Sequence, residues 1–450
     1  MHSCGRSPGT RQEISRASLK PSLSVFSRRN PAGPPDCSTG RKLRILSEFL
    51  TQSDMRIAIR MKESNRPIEI GIIGCGARIR RVVQLLLLAA DGKIRVRAVC
   101  DPDPVARDLA SQAFGGPVEF CESEEVLLTL PAISWVFVGS VNSQHCRHIL
   151  AAVRHGKHVF AEKPLATSLA DALDIRDGVT ASDRIFALGL VLRYSRFYQK
   201  IKEILCSGGL GQIISFEFNE TLAFNHGGFI FGNWRRSREL SGGHMLEKCC
   251  HDIDLANWLI DSLPVRVASF GGLDFFNAAN AHRVGEIGPN KDGLPAYQGW
   301  RSYSRNLIDP FTGRADIYDN QVAILQYANG VRATFHTNCN SAIPERRMYI
   351  HGAKGTLRAD LTAGILETAQ IGWNESIQKV PFGDMDGHGG GDEWMSRALC
   401  KTILEGDPPL ASVREGICSA IPALAMDQSV SEGRIIDLLP VWEKAGIQTL

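Results

Sequence analysis

Residues 68–91 read "IEIGIIGCGARIRRVVQLLLLAAD". The opening "IEIGIIG" is too continuously apolar for a strand with one wet face, and it predicts a strand buried on both sides. Gly74, Cys75 and Gly76 follow at once, and the text then takes up a helical period. Gly74 permits a tight turn, while Gly76 lets backbone N–H groups approach a pyrophosphate at the helix N-terminus. Ile79 stands where the third glycine of G-x-G-x-x-G is expected. The next strand candidate, "KIRVRAVCD", ends on Asp101, 25 residues after Gly76. A carboxylate there can accept from both hydroxyls of an adenosine ribose, each bond contributing ~1.5–3 kcal/mol. It repels a 2′-phosphate, so NAD is favoured over NADP. The expected cradle comprises Gly74, Cys75, Gly76, Ala77, Arg78 and Ile79, with Asp101 at its edge.

Outward from this turn, "VEFC", "ISWVFVGS", "HVFAEK" and "IFALGLVL" (Ile185–Leu192) continue as strands separated by helical text. That alternation predicts a parallel sheet covered on both faces. After Arg193 the pattern changes to a helix followed by long alternating runs, with Asn329-Gly330 as a hairpin signal. The fold expected is therefore α/β: an N-terminal doubly wound parallel sheet over 67–192, then an α+β domain with a large, mostly antiparallel open sheet over 193–440. Polar, Gly- and Pro-containing text from Ala281 to Arg314 reads as a surface insertion, with a lid as one use for it.

The chain has 450 residues and a net charge of +3, unevenly spread. Residues 1–66 hold 13 Lys/Arg against 5 Asp/Glu, so the remainder carries −5 and offers no basic face to nucleic acid. Those first residues are rich in Ser, Pro, Gly and Arg and predict a disordered extension. A transit peptide or an upstream start codon before Met55 or Met61 are alternative readings, whereas "NPAGPPDC" after Arg28-Arg29 argues against export. The 12 cysteines include no C-x-x-C, which fits reduced thiols in a cytoplasmic protein. The longest apolar run, "VVQLLLLAA", is too short to span a bilayer.

Two further stretches carry chemistry. "FAEKPLA" (Phe160–Ala166) closes a parallel strand, so Lys163 points toward the crevice where ligands of such sheets collect. "SGGHMLEKCCHDIDLANWL" (Ser241–Leu259) reads as one helix. At ~100° per residue Glu247, His251, Asp254 and Trp258 fall within about 60° of one another. Cys249 lies on the opposite, apolar face, and adjacent cysteines with one histidine do not converge as metal ligands. Proton transfer is the reading that remains.

"GIIGCG", "SVNSQHCRHILAAVRHGKHVFAEKPLA" and "GGHMLEKCCHDIDLANWL" together resemble the glucose–fructose oxidoreductase/inositol dehydrogenase/MocA (Gfo/Idh/MocA) family over essentially Pro67–Leu439. The resemblance implies a Rossmann domain, an open-sheet second domain, a tightly held nicotinamide cofactor, oxidation of a sugar, polyol or cyclitol hydroxyl, and a homo-oligomer, dimer or tetramer. It implies catalytic Lys163, His251 and Glu247, with His251 or Lys163 taking the hydroxyl proton and the other holding the oxyanion. Ser140, Asn142, His145 and Glu162 match positions near the nicotinamide. Arg193, Trp234 and Arg235 match the domain interface. Lys163, His226, His251 and Asp254 are the substrate candidates, with Asn233 beside them, and His388 and Asp392 of "GHGGGD" are further ones. Glu247 and Cys249 depart from the family's D-x-G-x-H-x-x-D pattern. Two rivals stay in play: the resemblance also allows an epimerase or eliminase that retains its cofactor, and that departure lends weight to a non-catalytic NAD-binding regulator.

Overall fold

The apolar run Ile68–Ile73 forms strand β1, paired in parallel with β2 (Ile94–Cys100) on one side and β4 (Ile133–Val138) on the other. The computed structural model describes residues 66–300, 308–383 and 386–449; the expected N-terminal extension lies outside them, apart from Arg66. With β3 (Glu119–Phe120), β5 (His158–Ala161) and β6 (Phe186–Leu188) the sheet has the order β3-β2-β1-β4-β5-β6. This is the doubly wound order, which reverses beside β1 and opens a crevice at the strands' carboxyl ends. Ile70, Ile72, Val136, Phe137 and Val159 are fully buried, each contributing ~1.5–3 kcal/mol of burial free energy.

Helices α1 (Ala77–Ala90), α2 (Pro104–Ala113), α3 (His145–Arg154) and α4 (Leu169–Thr180) connect the strands. α4 starts where Ser168 Oγ accepts from the Asp171 N–H, satisfying one of the first-turn donors. β6 is shorter than the expected Ile185–Leu192. The N–H groups of Leu190 and Val191 turn back to the carbonyls of Leu188 and Gly189, which ends the ladder.

After α5 (Arg196–Cys206) the chain builds a nine-stranded sheet around β7 (Ile213–Ala223). The other strands are β8 (Pro264–Gly272), β9 (Asn320–Tyr327), β10 (Arg332–Ser341), β11 (Arg347–Gly352), β12 (Gly355–Asp360), β13 (Ile365–Gln370), β14 (Gln378–Lys379) and β15 (Ile436–Asp437). Among the described residues every strand pair of this sheet is antiparallel except β7 with β10. β9 and β10 form the expected hairpin, in which Gly330 has φ +89°.

The Ala281–Arg314 insertion differs from its expectation as a polar surface segment. Ala296, Tyr297 and Phe311 are buried with Phe231 and Phe276 in a second, small core. Its aromatics pack against α6 (Phe224–Phe231), Phe231 and Phe276 stacking at 4.5 Å. Residues 301–307 of the insertion are outside the described set.

The stretch expected as one helix over Ser241–Leu259 is broken. Gly242 (φ +83°) and Gly243 (φ +97°) precede α7 (His244–Glu247), and Lys248 and Cys249 separate it from α8 (Cys250–Ile260). The uniform 100° rotation therefore fails across Lys248–Cys249, where ψ at Cys249 is −1°. Farther on, α9 (Gly391–Glu405) packs back on α1, and α10 (Val413–Glu432) packs on α8, α4 and β8. No helix among the described residues is long and apolar enough to cross a membrane.

Candidate active site

The turn after β1 meets its steric requirements at two glycines. Gly74 has φ +78°, and a Cβ there would sit 2.4 Å from the Ser140 backbone nitrogen. Gly76 has ordinary φ (−64°), yet a Cβ there would meet no protein atom within 4 Å. The space above Gly76 is thus open at the start of α1, as a dinucleotide cradle requires. Ile79 needs no third glycine because Gly139, at the end of β4, makes the room: a Cβ on Gly139 would lie 2.7 Å from Ile79 Cβ. The close approach of helix and strand is preserved from the other side.

Asp101 is buried and shapes the turn. Its Oδ2 accepts from Cys75 N–H at 2.6 Å and its Oδ1 from Asp103 N–H at 2.8 Å. Each oxygen keeps a further lone pair for a ribose hydroxyl. Cys75 faces the core, and burial pushes its thiol up to about 12, so only its backbone faces the crevice. Ala77 is half-buried at the first position of α1. Arg78 lies across the crevice, its Nε donating to Glu162 Oε1 at 3.0 Å and its Nη1 to Asp392 Oδ1 at 2.5 Å.

Several of the predicted residues serve as internal supports. Ser140 Oγ is 2.8 Å from His148 Nδ1. His145 is wedged between the carbonyl oxygens of Pro164 (2.7 Å from Nδ1) and Ser140 (3.1 Å from Nε2), tying the turn after β4 to the one after β5. Asn142 Nδ2 donates to Ser241 O at 3.0 Å, joining the first sheet to the second domain. Arg193 and Asp254 are locked on each other at 2.7 and 2.8 Å, both carboxylate oxygens being engaged. This buried fork clamps the inter-sheet turn to α8, a geometry distinct from the ligand contacts predicted for the two residues.

The lysine and the broken helix meet. Lys163 Nζ donates to the Glu247 main-chain carbonyl at 2.6 Å and lies 3.5 Å from Glu247 Oε1. In an unbroken helix that carbonyl would accept from His251 N–H; the break frees it for the ammonium. The stronger contact is to the backbone, so the longer Glu side chain does not displace the lysine. Glu247 Oε1 also accepts from Arg235 Nε at 3.0 Å. Burial opposes ionisation of Glu247, but Lys163 and then Arg235 hold its carboxyl well below the usual carboxylate range.

His251 follows on the first turn of α8 and is buried. Burial, then the charges of Lys163, Arg346, His388 and Lys248, holds its pKa well below that of a free imidazole. The ring is neutral at physiological pH and can accept a proton or a hydrogen bond. His226 stacks on Trp300 at 4.2 Å, and Arg235 covers the rings of Trp234 (4.4 Å) and Phe229 (4.8 Å). Asn233 caps that turn by accepting from Arg235 N–H.

Sequence reasoning missed Lys248. Its ammonium is 3.0 Å from Glu220 Oε1, whose other oxygen is 2.9 Å from Arg346 Nε. Arg346 is in turn bidentate to Asp252 at 2.8 and 2.7 Å. Its adjacency to Glu247 was a signal, but its partner on β7 was not legible from spacing. Cys249 is buried as expected in the same hydrophobic cluster as Ile253, Ala256 and Ile260, and its thiol also meets His244 and Thr337. Burial keeps it a thiol. Among the described residues no group of three or more His, Cys, Asp or Glu is arranged to hold a metal ion.

Comparison with known proteins places both parts of the chain in one family. Residues 68–190 match the family model described as an oxidoreductase family with an NAD-binding Rossmann fold, and residues 198–358 match the GFO/IDH/MocA C-terminal domain.

The chain belongs to the Gfo/Idh/MocA oxidoreductase family.

Among Gfo/Idh/MocA relatives, the inositol 2-dehydrogenase of Gluconacetobacter diazotrophicus is 29% identical over 197 residues, 43% of this chain and 54% of that one. The 2,7-anhydro-N-acetylneuraminate hydratase of Escherichia coli is 24% identical, over 66% of this chain and 70% of that one. A levoglucosan dehydrogenase solved with NADH and levoglucosan has a TM-score of 0.69 at 18% identity, over 83% of this chain and all of that one. That likeness is one of fold. The first sheet and its helices are an NAD-binding Rossmann domain.

Proposed function

We propose that the protein oxidises a secondary hydroxyl of a sugar, polyol or cyclitol, with Lys163, His251 and Glu247 as its proton-handling group. The observation that carries this reading is the 2.6 Å bond from Lys163, beside the cofactor crevice, to the Glu247 carbonyl at the break before His251. NAD supplies the hydride acceptor when bound. The open face of Gly76 and the free lone pairs of Asp101 favour NAD along the β1–α1 turn, with the ribose on Asp101.

Neutral His251 accepts the hydroxyl proton, and Lys163, held by Glu247, donates to the developing alkoxide. Glu247 keeps Lys163 and Arg235 from repelling one another. His226 and Arg235 border the substrate space. Arg193 and Asp254 position α8, while Ser140, Asn142, His145 and Glu162 position the two turns beside the nicotinamide. The Rossmann unit is assigned to 67–192 and the substrate unit to 193–440. Exposed Phe270, Val322 and Ile324 on the outer sheet face support a dimer or tetramer.

A second reading, transient oxidation with the cofactor retained, is favoured by the hydratase among the relatives. The test is a panel of inositols, levoglucosan, hexoses and hexitols with NAD⁺, followed at 340 nm and by product analysis. NADH formation supports the dehydrogenase, and sugar conversion without NADH supports the second reading. NAD binding with no conversion of any compound rejects both. Lys163→Ala is expected to bind NAD at the wild-type level and lose turnover at least ~10²-fold.

A further inference from the structure

The segment His388–Asp392, "HGGGD", enters the proposed reaction only through the Arg78–Asp392 pair, and its first residue lies beside His251. We propose that the His388–Asp392 pair is a proton relay carrying the proton from buried His251 to solvent, an inference that rests on the hydride-transfer reading.

The geometry is specific. The rings of His251 and His388 are 6.4 Å apart between centres, a gap that one hydroxyl or water spans. His388 Nδ1 is 2.9 Å from Asp392 Oδ2, and Asp392 Oδ1 accepts from Arg78. Burial opposes the charge on Asp392, but His388 and Arg78 bring its pKa down to about 2, so it stays a carboxylate. A carboxylate on Nδ1 places the ring proton there and leaves the Nε2 lone pair to receive another.

The same residue also has positive φ, as Asp91, Asp261, Tyr297 and Asn374 do elsewhere. His388 has φ +50°, a left-handed conformation that costs a non-glycine residue ~1–2 kcal/mol. Glycine would adopt it freely, and glycine does occupy the next three positions. The segment cannot relax: a Cβ on Gly389 would lie 2.7 Å from Leu361 and Ser195, and one on Gly391 would lie 2.7 Å from the Val191 carbonyl. Ser195 Oγ also donates to Gly389 O at 2.8 Å. A strained histidine is thus held where glycine fits better, with its ring fixed by Asp392.

His251 needs such an outlet. It is 5% exposed, its Nδ1 has no hydrogen-bond partner among the described residues, and Lys163, Arg346 and Lys248 all face it. A proton taken there cannot remain. The His388 side chain is 36% exposed and faces Asp392, Arg78 and Lys248. The balance is simple. The substrate O–H bond breaks and its proton goes to His251, then through the bridging group to His388 Nε2, then to bulk water. The carbinol C–H pair leaves as hydride to NAD⁺.

Two measurements on the full chain test the relay. Nitrogen-15 NMR of histidine-labelled protein, assigned with His388→Gly, should show His388 as the Nδ1–H tautomer, and Asp392→Asn should abolish that preference. His388→Gly should keep or raise the thermal midpoint while turnover of the polyol oxidised by the wild type falls at least ~10-fold and recovers with added imidazole. An Nε2–H tautomer in the wild type, or full turnover of His388→Gly in dilute buffer, overturns the relay. If the wild type oxidises nothing in the panel, the tautomer alone decides the relay and the failure belongs to the hydride-transfer reading.

Discussion

Two neighbouring glycines of the β1–α1 turn should respond to the same substitution in opposite ways. At Gly74 an alanine must adopt φ +78° and place its Cβ 2.4 Å from Ser140 N and 2.5 Å from Ser140 Cα. The backbone strain alone costs ~1–2 kcal/mol, and the obstacle is main chain that cannot swing aside. Gly74→Ala should therefore lower unfolding stability by about 3 kcal/mol or more. At Gly76 the φ is ordinary and the new Cβ meets no protein atom within 4 Å. The fold should be unchanged or stabilised by ~0.4–1 kcal/mol through the unfolded state. The methyl group would instead stand where the cofactor's phosphates approach the helix N-terminus. Losing one charge-assisted hydrogen bond there removes ~1.5–3 kcal/mol, or roughly 10- to 150-fold in NAD affinity. Urea unfolding and calorimetric titration with NAD on both variants give the two numbers. Wild-type NAD affinity in Gly76→Ala would refute the placement of the dinucleotide on this turn.

Asp101→Ser should shift the NAD:NADP affinity ratio toward NADP by at least ~10-fold. It should also weaken both somewhat, since the Cys75 N–H loses its acceptor; an unchanged ratio in paired titrations removes Asp101 from the ribose. Because His251 is held well below the ordinary imidazole value, its neutral form persists far into acid. Oxidation should show no limb near pH 6.5 and should fall only as pH drops through that lowered value, and a pH profile of kcat/KM with a clear limb at 6.5 contradicts this. Asp254→Asn leaves Arg193 buried without its counter-charge and should cost ~3–5 kcal/mol in urea unfolding, whereas a change below ~1 kcal/mol would mean water reaches the guanidinium.

Local chemistry was legible residue by residue. Continuous apolar strands, the Gly74–Gly76 turn, Asp101 at a strand end and the Asn329-Gly330 hairpin each depend on neighbours within a few positions. The same holds for Lys163 and Glu247 as individual candidates. Their contact was not legible in detail, because helical geometry was extrapolated across Lys248 and Cys249, where the chain leaves it. A single break there converts a carbonyl that belonged to the helix into the acceptor for a lysine 84 residues earlier.

From the sequence one can know that two sheets form, that the first has a dinucleotide turn, and which ionisable side chains lie near strand ends and helix starts. These follow from period, turn stereochemistry and burial, which act over a handful of residues. The pairing of charges followed from the folded chain alone. Arg78 with Asp392, Arg193 with Asp254 and Lys248 with Glu220 are partners because two sheets and a returning helix bring distant residues within 3 Å. Coulomb energy in a buried site depends on that separation and on excluded water, and neither quantity is written in the order of the residues.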